Sequence, residues 1–264
     1  MKNLINPIID LAENAGKIIL EIYLSGFSVK IKSDKSPLTQ ADLAAHSHIV
    51  NGLSKLDPNI PIISEEDDLP DYNKRSLWKR YWLIDPLDGT KEFINRNGEF
   101  TVNIALIDNN EPVLGVVHIP IKNKTYFGYK GHGAACKDKN GKSKFINVAK
   151  KASNPIKVLS SRSHKSLNLN EYLKGIGSYN LKKIGSSLKF CIIAEGKADL
   201  YPRFGKTSEW DTAAAQIIVE EAGGRVLTMH GNKLKYNKKN ILNPDFFVIG
   251  ATDKDWLALA HPWH

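Results

Sequence analysis

The chain has 264 residues, of which 42% are hydrophobic and 25% are charged, and its formal net charge is +9. This composition is typical of a globular protein with a sizeable core, built as one large domain or as two tightly packed halves. No apolar stretch approaches the roughly 20 residues of a membrane-spanning helix, and the N-terminus lacks the pattern of a secretory signal. We therefore expect a cytoplasmic protein.

The positive charge favours anionic partners, such as phosphorylated small molecules, nucleic acid or anionic lipid headgroups. The lysines are scattered and are not interleaved with aromatic residues along one stripe, which argues against a nucleic acid polymer. The two cysteines, Cys136 and Cys191, are too few and too far apart for a disulfide framework or a zinc site. We expect them to be plain thiols.

Two helices are predicted near the start of the chain. Apolar residues at helical spacing predict an amphipathic helix over residues 3–24 and a second helix from about Gln40 to Leu56. Asp57-Pro58 ends the second pattern, and Thr39 is its candidate N-cap.

Two short strands that follow are predicted to end in acids. Residues 60–64 form an apolar run that leads directly to Glu65 and Glu66, and residues 81–84 form another that leads to Asp85. A carboxylate held against a core costs several kcal/mol unless it is paired or bound to a metal. These acids are therefore the first candidates for a functional site.

The rest of the chain predicts a mixed α/β (α+β) fold. The lysine-rich segment 138–155 is the best candidate for a boundary, which divides an N-terminal half, 1–150, from a C-terminal half, 151–264. The further predicted elements are antiparallel strands at 100–107, 113–119 and 125–130, strands at 157–160, 198–201 and 246–250, helices at 187–195 (capped by Ser186 or Ser187) and 211–222, and a short terminal helix capped by Thr252.

The segment 85–90, with the sequence D-P-L-D-G-T, can bring two acids to one point. Pro86 fixes one φ angle and Gly89 permits a turn that other residues resist, so Asp85 and Asp88 can converge. Oxygen ligands without histidine or thiolate suit magnesium better than zinc. Backbone amides of Gly89 and Thr90 at the start of a following helix would also suit a phosphate. Taken alone, the segment could equally be a surface turn.

Three motifs together resemble a known family. The pair Glu65-Glu66, the D-P-x-D-G-T segment and the W-D-T-A-A sequence at 210–214 have the order and approximate spacing of the inositol monophosphatase superfamily of magnesium-dependent, lithium-sensitive phosphatases. The resemblance covers nearly the whole chain. It is strongest to the bacterial 3'(2'),5'-bisphosphate nucleotidase branch, the CysQ type, in the stretches 78–82, 98–105, 131–135, 160–164, 185–190 and 200–205.

The resemblance implies the layered α-β-α-β-α sandwich of sugar phosphatases and a site for two or three magnesium ions. Glu65, Asp85 and the backbone carbonyl of Leu87 would hold one ion, and Asp85, Asp88 and Asp211 a second. Glu65 and Thr90, with Asp42 behind Thr90, resemble the group that activates water. An ordinary capping role is the alternative for Asp42.

The same resemblance implies hydrolysis of adenosine 3',5'-bisphosphate to AMP and phosphate. The substrate-binding residues would be Glu65, Leu87, Asp88, Gly89, Thr90, Ser186, Ser187, Lys189, Arg203 and Asp211. Exposed or surface-paired positions are the alternatives for Lys189 and Arg203. His164 is the histidine that we expect nearest the pocket.

Three other functions remain open. An inositol monophosphatase or a sugar bisphosphatase would share the metal motifs, and only the stretches around Ser186 and Arg203 favour the nucleotidase. A catalytically inactive binding relative would not need the acids. Some bacterial relatives lie on the cytoplasmic face of the inner membrane, but no element of this sequence establishes such contact, and the sequence does not determine the oligomeric state.

Overall fold

The computed structural model describes residues 1–32, 37–163, 167–251 and 253–259. No helix among these residues has the length and apolarity needed to cross a membrane. The helices of the described chain are α1 (Lys2–Ser25), α2 (Gln40–Leu56), α3 (Tyr72–Arg75), α4 (Thr90–Ile94), α5 (Leu167–Lys174), α6 (Leu188–Ala194) and α7 (Ala213–Glu221).

Local sequence signals explain the bounds of α2. Thr39 forms a capping box with Asp42: the Thr39 hydroxyl oxygen accepts the Ala41 amide at 3.1 Å, and Asp42 accepts the Thr39 amide at 2.7 Å. The helix ends at Asp57, in an extended conformation before a proline. Thr39 is therefore the N-cap, as predicted, and Asp42 is buried as part of the cap.

A seven-stranded sheet occupies the first half of the chain, in the order β3-β4-β5-β6-β7-β8-β9. Its first two strands are parallel and the others pair antiparallel. Because the carboxyl ends of parallel strands lie at one edge, the acids after β3 and within β4 come together. The strands are β3 (Ile62–Ser64), β4 (Arg80–Asp88), β5 (Thr101–Asp108), β6 (Glu111–Ile119), β7 (Lys124–Tyr129), β8 (Ala134–Lys137) and β9 (Ser143–Ile146).

A five-stranded mixed sheet forms in the second half, in the order β11-β10-β12-β14-β13, and a separate hairpin joins two strands near the N-terminus. The sheet's strands are β10 (Ile156–Ser161), β11 (Tyr179–Ile184), β12 (Leu200–Arg203), β13 (Arg225–Thr228) and β14 (Phe246–Ile249), and those of the hairpin are β1 (Val29–Ile31) and β2 (Pro37–Thr39).

Three apolar clusters define five layers. One joins α1 and α2 to the outer face of the seven-stranded sheet, a second joins α6 and α7 to the inner faces of both sheets, and a third joins α5 to the outer face of the five-stranded sheet. Each of these five helices thus buries its apolar residues against a sheet. The predicted α-β-α-β-α sandwich is confirmed.

Several details differ from the prediction. Ser187 is the N-cap of α6, but its hydroxyl does not cap the helix, since it is bonded elsewhere. The predicted boundary segment contains β9, which completes the first sheet, and the gap between the sheets lies between Ile146 and Ile156. Both sheets share the middle cluster, so the division into two halves stays a prediction. Thr252 lies outside the described residues, as does His164.

Candidate metal and phosphate site

Three acids from distant parts of the chain converge at the edge where β3 and β4 end. Carboxylate oxygens of Glu65, Asp85 and Asp211 all lie within 4.8 Å of one another. Glu65 follows β3, Asp85 belongs to β4, and Asp211 closes a 3-10 turn before α7. The fold thus brings together three of the four predicted acidic ligands.

A bulge in β4 gives the fourth acid a different direction. The pairing of β4 with β5 shifts register between Asp85 and Asp88. Such β-bulges often redirect a side chain. Asp88 lies outside the group of three but lines the same pocket. Its Oδ2 accepts the Ser187 amide and lies 3.4 Å from Asn103 Nδ2. The structure therefore places Asp88 between the acids and the second half of the chain.

The negative charges of Glu65, Asp85 and Asp211 favour a bound cation. Burial and repulsion by the neighbouring acids raise the pKa of Asp85 and of Asp211 well above the usual range. Burial also raises the pKa of Glu65 to about 7, although Lys32 opposes the shift. Asp85 Oδ2 is buried and has no hydrogen-bond partner among the residues that the structure describes. A hard divalent cation would satisfy this oxygen and neutralise the cluster, so the residues present fit a metal site.

Thr90 and Asp42 lie beside the acids as a hydrogen-bonded pair. Thr90 Oγ1 lies 3.0 Å from Asp42 Oδ1 and 3.3 Å from the carbonyl oxygen of Leu87. Asp42 is held by the amide of Thr39 and, at 2.6 Å, by its hydroxyl. Burial raises the pKa of Asp42 even so. The neighbourhood implied by the resemblance is present, and Asp42 serves the cap and Thr90 together.

Gly89 closes the turn between β4 and α4. Its φ is +94°, in the left-handed region, and a Cβ there would lie 3.1 Å from the carbonyl oxygen of Glu99 and 3.3 Å from Ser186 Cβ. Only glycine suits both constraints. The turn therefore lets the chain of Gly89 approach the opposite wall of the pocket closely.

The opposite wall carries four of the predicted substrate-binding residues, Ser186, Ser187, Lys189 and Arg203, and all four line a pocket of about 290 Å³ together with the acids. The Ser187 hydroxyl is used inside the protein, because it lies 2.8 Å from both Thr101 Oγ1 and Asn103 Oδ1. Its amide, in contrast, faces Asp88. Ser187 thus links the two halves of the chain.

Lys189 and Arg203 are buried, so the alternatives of exposed or surface-paired side chains are wrong. Lys189 Nζ donates to the carbonyls of Ile184 and Ser186, and burial lowers the pKa of Lys189 to about 8. Arg203 Nη2 donates to the carbonyl of Lys206 at 2.7 Å. Within the described chain Arg203 Nε is buried and has no hydrogen-bond partner.

Two polar arrangements were missed from sequence. Lys32 forms an ion pair with Glu66 at 2.6 Å and lies 3.6 Å from Glu65. Glu99 accepts two bonds of 2.7 Å from Arg162 and one from the Gly185 amide, which holds the turn before α6. Arg162 lies in a stretch that resembles the nucleotidases and could have been singled out. No motif marks Lys32.

Comparisons with known proteins agree with this geometry. A model described as the inositol monophosphatase family matches residues 1–259. The 3'(2'),5'-bisphosphate nucleotidase CysQ of Escherichia coli K12 is 48% identical over 93% of this chain and 99% of that protein. That of Haemophilus influenzae is 34% identical over 98% of this chain and 97% of its own length.

Solved structures give the same result. The crystal structure of CysQ from Bacteroides thetaiotaomicron superposes with a TM-score of 0.82 at 40% identity, over 94% of this chain and 98% of that one. The Thermotoga maritima IMPase superposes with a TM-score of 0.81 at 26% identity, over 99% and 98% of the two chains.

Proposed function

The chain belongs to the inositol monophosphatase family, and on that premise we propose that it is a 3'(2'),5'-bisphosphate nucleotidase. The reaction is hydrolysis of adenosine 3',5'-bisphosphate to AMP and phosphate. The observation that carries the proposal is the convergence of Glu65, Asp85 and Asp211, with Asp88 beside them, in a pocket that also holds buried Lys189 and Arg203. Acidic residues that can hold metal ions and basic residues that can bind phosphate thus line one cavity.

Magnesium is the proposed cofactor, with two or three ions per site. Glu65, Asp85 and the Leu87 carbonyl would hold one ion, and Asp85, Asp88 and Asp211 a second. Bound cations would activate water, polarise the phosphoryl group and neutralise the charge that develops on the leaving oxygen. The unpartnered Oδ2 of Asp85, a member of the group of three acids, supports the proposal that Asp85 would be a metal ligand.

The protein groups orient the attacking water. Thr90 Oγ1 has one proton, and a bond to Asp42 at 3.0 Å uses it. The Thr90 oxygen then has lone pairs that accept a hydrogen bond from water, and Glu65 on the adjacent strand end can take the proton that the water loses. The oxygen of that water forms a bond to phosphorus as the bond to the 3'-oxygen breaks, so no covalent enzyme intermediate forms.

The second wall would bind the rest of the substrate. Arg203 lines this pocket and carries a permanent positive charge, which suits a phosphate. Lys189 and Ser187 hold the backbone of the turn, and Ser186, with a φ of +48°, lies at its tip. We propose that this turn positions the nucleotide, while Gly89 and Thr90 face the phosphate that is cleaved.

Phosphate release tests the proposal. The substrates are adenosine 3',5'-bisphosphate, inositol 1-phosphate and fructose 1,6-bisphosphate, each with magnesium, with chelator and with added lithium. We expect the nucleotide to have the highest kcat/KM, no turnover in chelator and inhibition by lithium. Equal or absent turnover of the nucleotide would exclude the proposed substrate, and turnover in chelator would exclude the metal.

The alternative functions and the cellular location need separate tests. An inositol or sugar phosphatase would share the acids, so only the substrate comparison separates these enzymes. An inactive relative would have no chemical need for the converging acids. A cytoplasmic location, with or without contact to anionic membrane, stays a prediction that cell fractionation can test.

A further inference from the structure

A second cleft lies on the side of α6 that faces away from the acids. It has a volume of about 390 Å³, within the range of about 300–1,000 Å³ that is typical of small-molecule sites. It opens between the seven-stranded and five-stranded sheets. We call it the lysine cleft, because its lining includes Lys122, Lys124, Lys157, Lys182 and Lys197.

Helix α6 separates the lysine cleft from the proposed active site. Ser187 and Lys189 line the active-site pocket, whereas Leu188 and Ile192 line the lysine cleft. Leu188 lines the lysine cleft although the residues on either side of it, Ser187 and Lys189, line the active-site pocket. The two cavities are therefore distinct, and a ligand in one would not occupy the other.

The charges of the lysine cleft are unbalanced. Among the described residues of the lining, Glu195 is the one carboxylate, and it pairs with Lys124 and, at 2.6 Å, with Lys197. Within the described chain no carboxylate partner is recorded for the other three lysines, Lys122, Lys157 and Lys182, whose side chains are exposed. Five ammonium groups around one carboxylate leave a strong positive field, which attracts multivalent anions.

The floor of the lysine cleft is apolar. It includes Ile119, Tyr126, Leu159 and Leu188, which are almost fully buried, and its accessible apolar surface comes from Leu181, which is 37% exposed, and from half-buried Ile192. Lys124 Nζ lies 4.8 Å from the centre of the Tyr126 ring. Leu181 and Ile192 offer contact to a hydrophobic or aromatic body, while the ammonium groups around them would bind phosphate.

From these features we propose that the lysine cleft is a second ligand site, which binds an organic phosphate with an apolar or aromatic body, such as a nucleoside diphosphate. The lysines without partners bind the phosphates, and the apolar floor contacts the rest of the ligand. The site takes no part in the hydrolysis proposed above.

Titration calorimetry with adenosine diphosphate, in the presence of a chelator, tests the proposal on the full chain. The variant Lys157→Glu with Lys182→Glu removes two phosphate-binding groups, so we expect its affinity to fall by about tenfold or more. The matched control is Lys139→Glu with Lys142→Glu, two exposed lysines outside the cleft. It changes the net charge by the same amount, and we expect less than threefold change, roughly the scale of screened surface charge.

Each result decides the question. Equal weakening by both variants would show long-range attraction only, and retained binding in the cleft variant would place the ligand elsewhere, the active-site pocket included. Absence of binding to the unmodified protein would also overturn the proposal. Inorganic pyrophosphate should bind more weakly than adenosine diphosphate, and equal affinity would contradict the role of the floor. A cooperative unfolding transition checks that both variants fold, and the binding readout does not depend on hydrolysis.

Discussion

Replacing Asp88 by asparagine separates the chemistry of this acid from its part in the fold. Asparagine has the same shape, and its side-chain oxygen can still accept the Ser187 amide that Asp88 binds. The substitution removes one negative charge from a site where the neighbouring acids repel one another and where burial raises the pKa of Asp88. It also removes the attraction to Lys189, which acts in the opposite direction.

These opposing terms predict a small change in stability and a large change in activity. Loss of repulsion and loss of the lysine partner offset each other, so the free energy of unfolding should change by less than about 1 kcal/mol. Loss of an anionic ligand weakens the binding of a metal cation that would supply several kcal/mol of transition-state stabilisation. We therefore expect kcat/KM to fall by at least about a thousandfold.

The assay is hydrolysis of adenosine 3',5'-bisphosphate over a magnesium titration, with urea unfolding of the same preparations. The control is Asp68→Asn, which removes the same charge from an exposed position three residues after Glu65. We expect the control to keep nearly full activity. More than a tenth of the activity in Asp88→Asn, with the fold intact, would refute the assignment of Asp88 as a ligand.

Three further predictions address the fold and the water-activating pair. Thr90→Ala should lower kcat by about a hundredfold or more with little change in KM, because the hydroxyl next to Asp42 is lost, while Thr90→Ser should restore it; equal rates for both variants would contradict this role. Gly115→Ala should destabilise the protein by about 3 kcal/mol or more in urea unfolding, because the new Cβ would lie 2.2 Å from the carbonyl oxygen of Ala214, and an unchanged midpoint would be inconsistent with this packing. Burial lowers the pKa of His118 from 6.5 to about 4. Between pH 4 and 6.5 the unfolded chain therefore binds more protons than the folded chain, so the free energy of unfolding should rise by about 3 kcal/mol as the pH rises across this range. The variant His118→Gln should lose this rise. If the free energy of unfolding changed with pH equally in both proteins, His118 would be ruled out as the source.

The parts of the fold that sequence predicted well are those with strong local signals. Helix α2 has a clear apolar period, a threonine cap and a proline after its end, and its predicted and observed bounds agree. The strands that deliver Glu65 and Asp85 contain apolar runs that are buried over most of their length. Their acids meet because β3 and β4 are parallel neighbours.

The parts that sequence missed depend on contacts between distant residues. The edge strands β9 and β11 are mostly exposed, so they have no apolar alternation to reveal them. The bond between Asp88 and the Ser187 amide joins residues 99 positions apart, and it gives Ser187 a role inside the protein that its sequence motif does not show. The ion pair of Lys32 with Glu66 likewise joins residues 34 positions apart, and no local pattern in the sequence marks it.

Identification of the product tests directly whether the protein removes the 3'-phosphate in a metal-dependent reaction. Adenosine 3',5'-bisphosphate is incubated with the protein and magnesium, and phosphorus NMR follows which phosphate is released. We expect inorganic phosphate and adenosine 5'-phosphate in equal amounts, and no reaction after chelation of the metal. Adenosine 3'-phosphate as the product, or release that persists without a divalent cation, would contradict it.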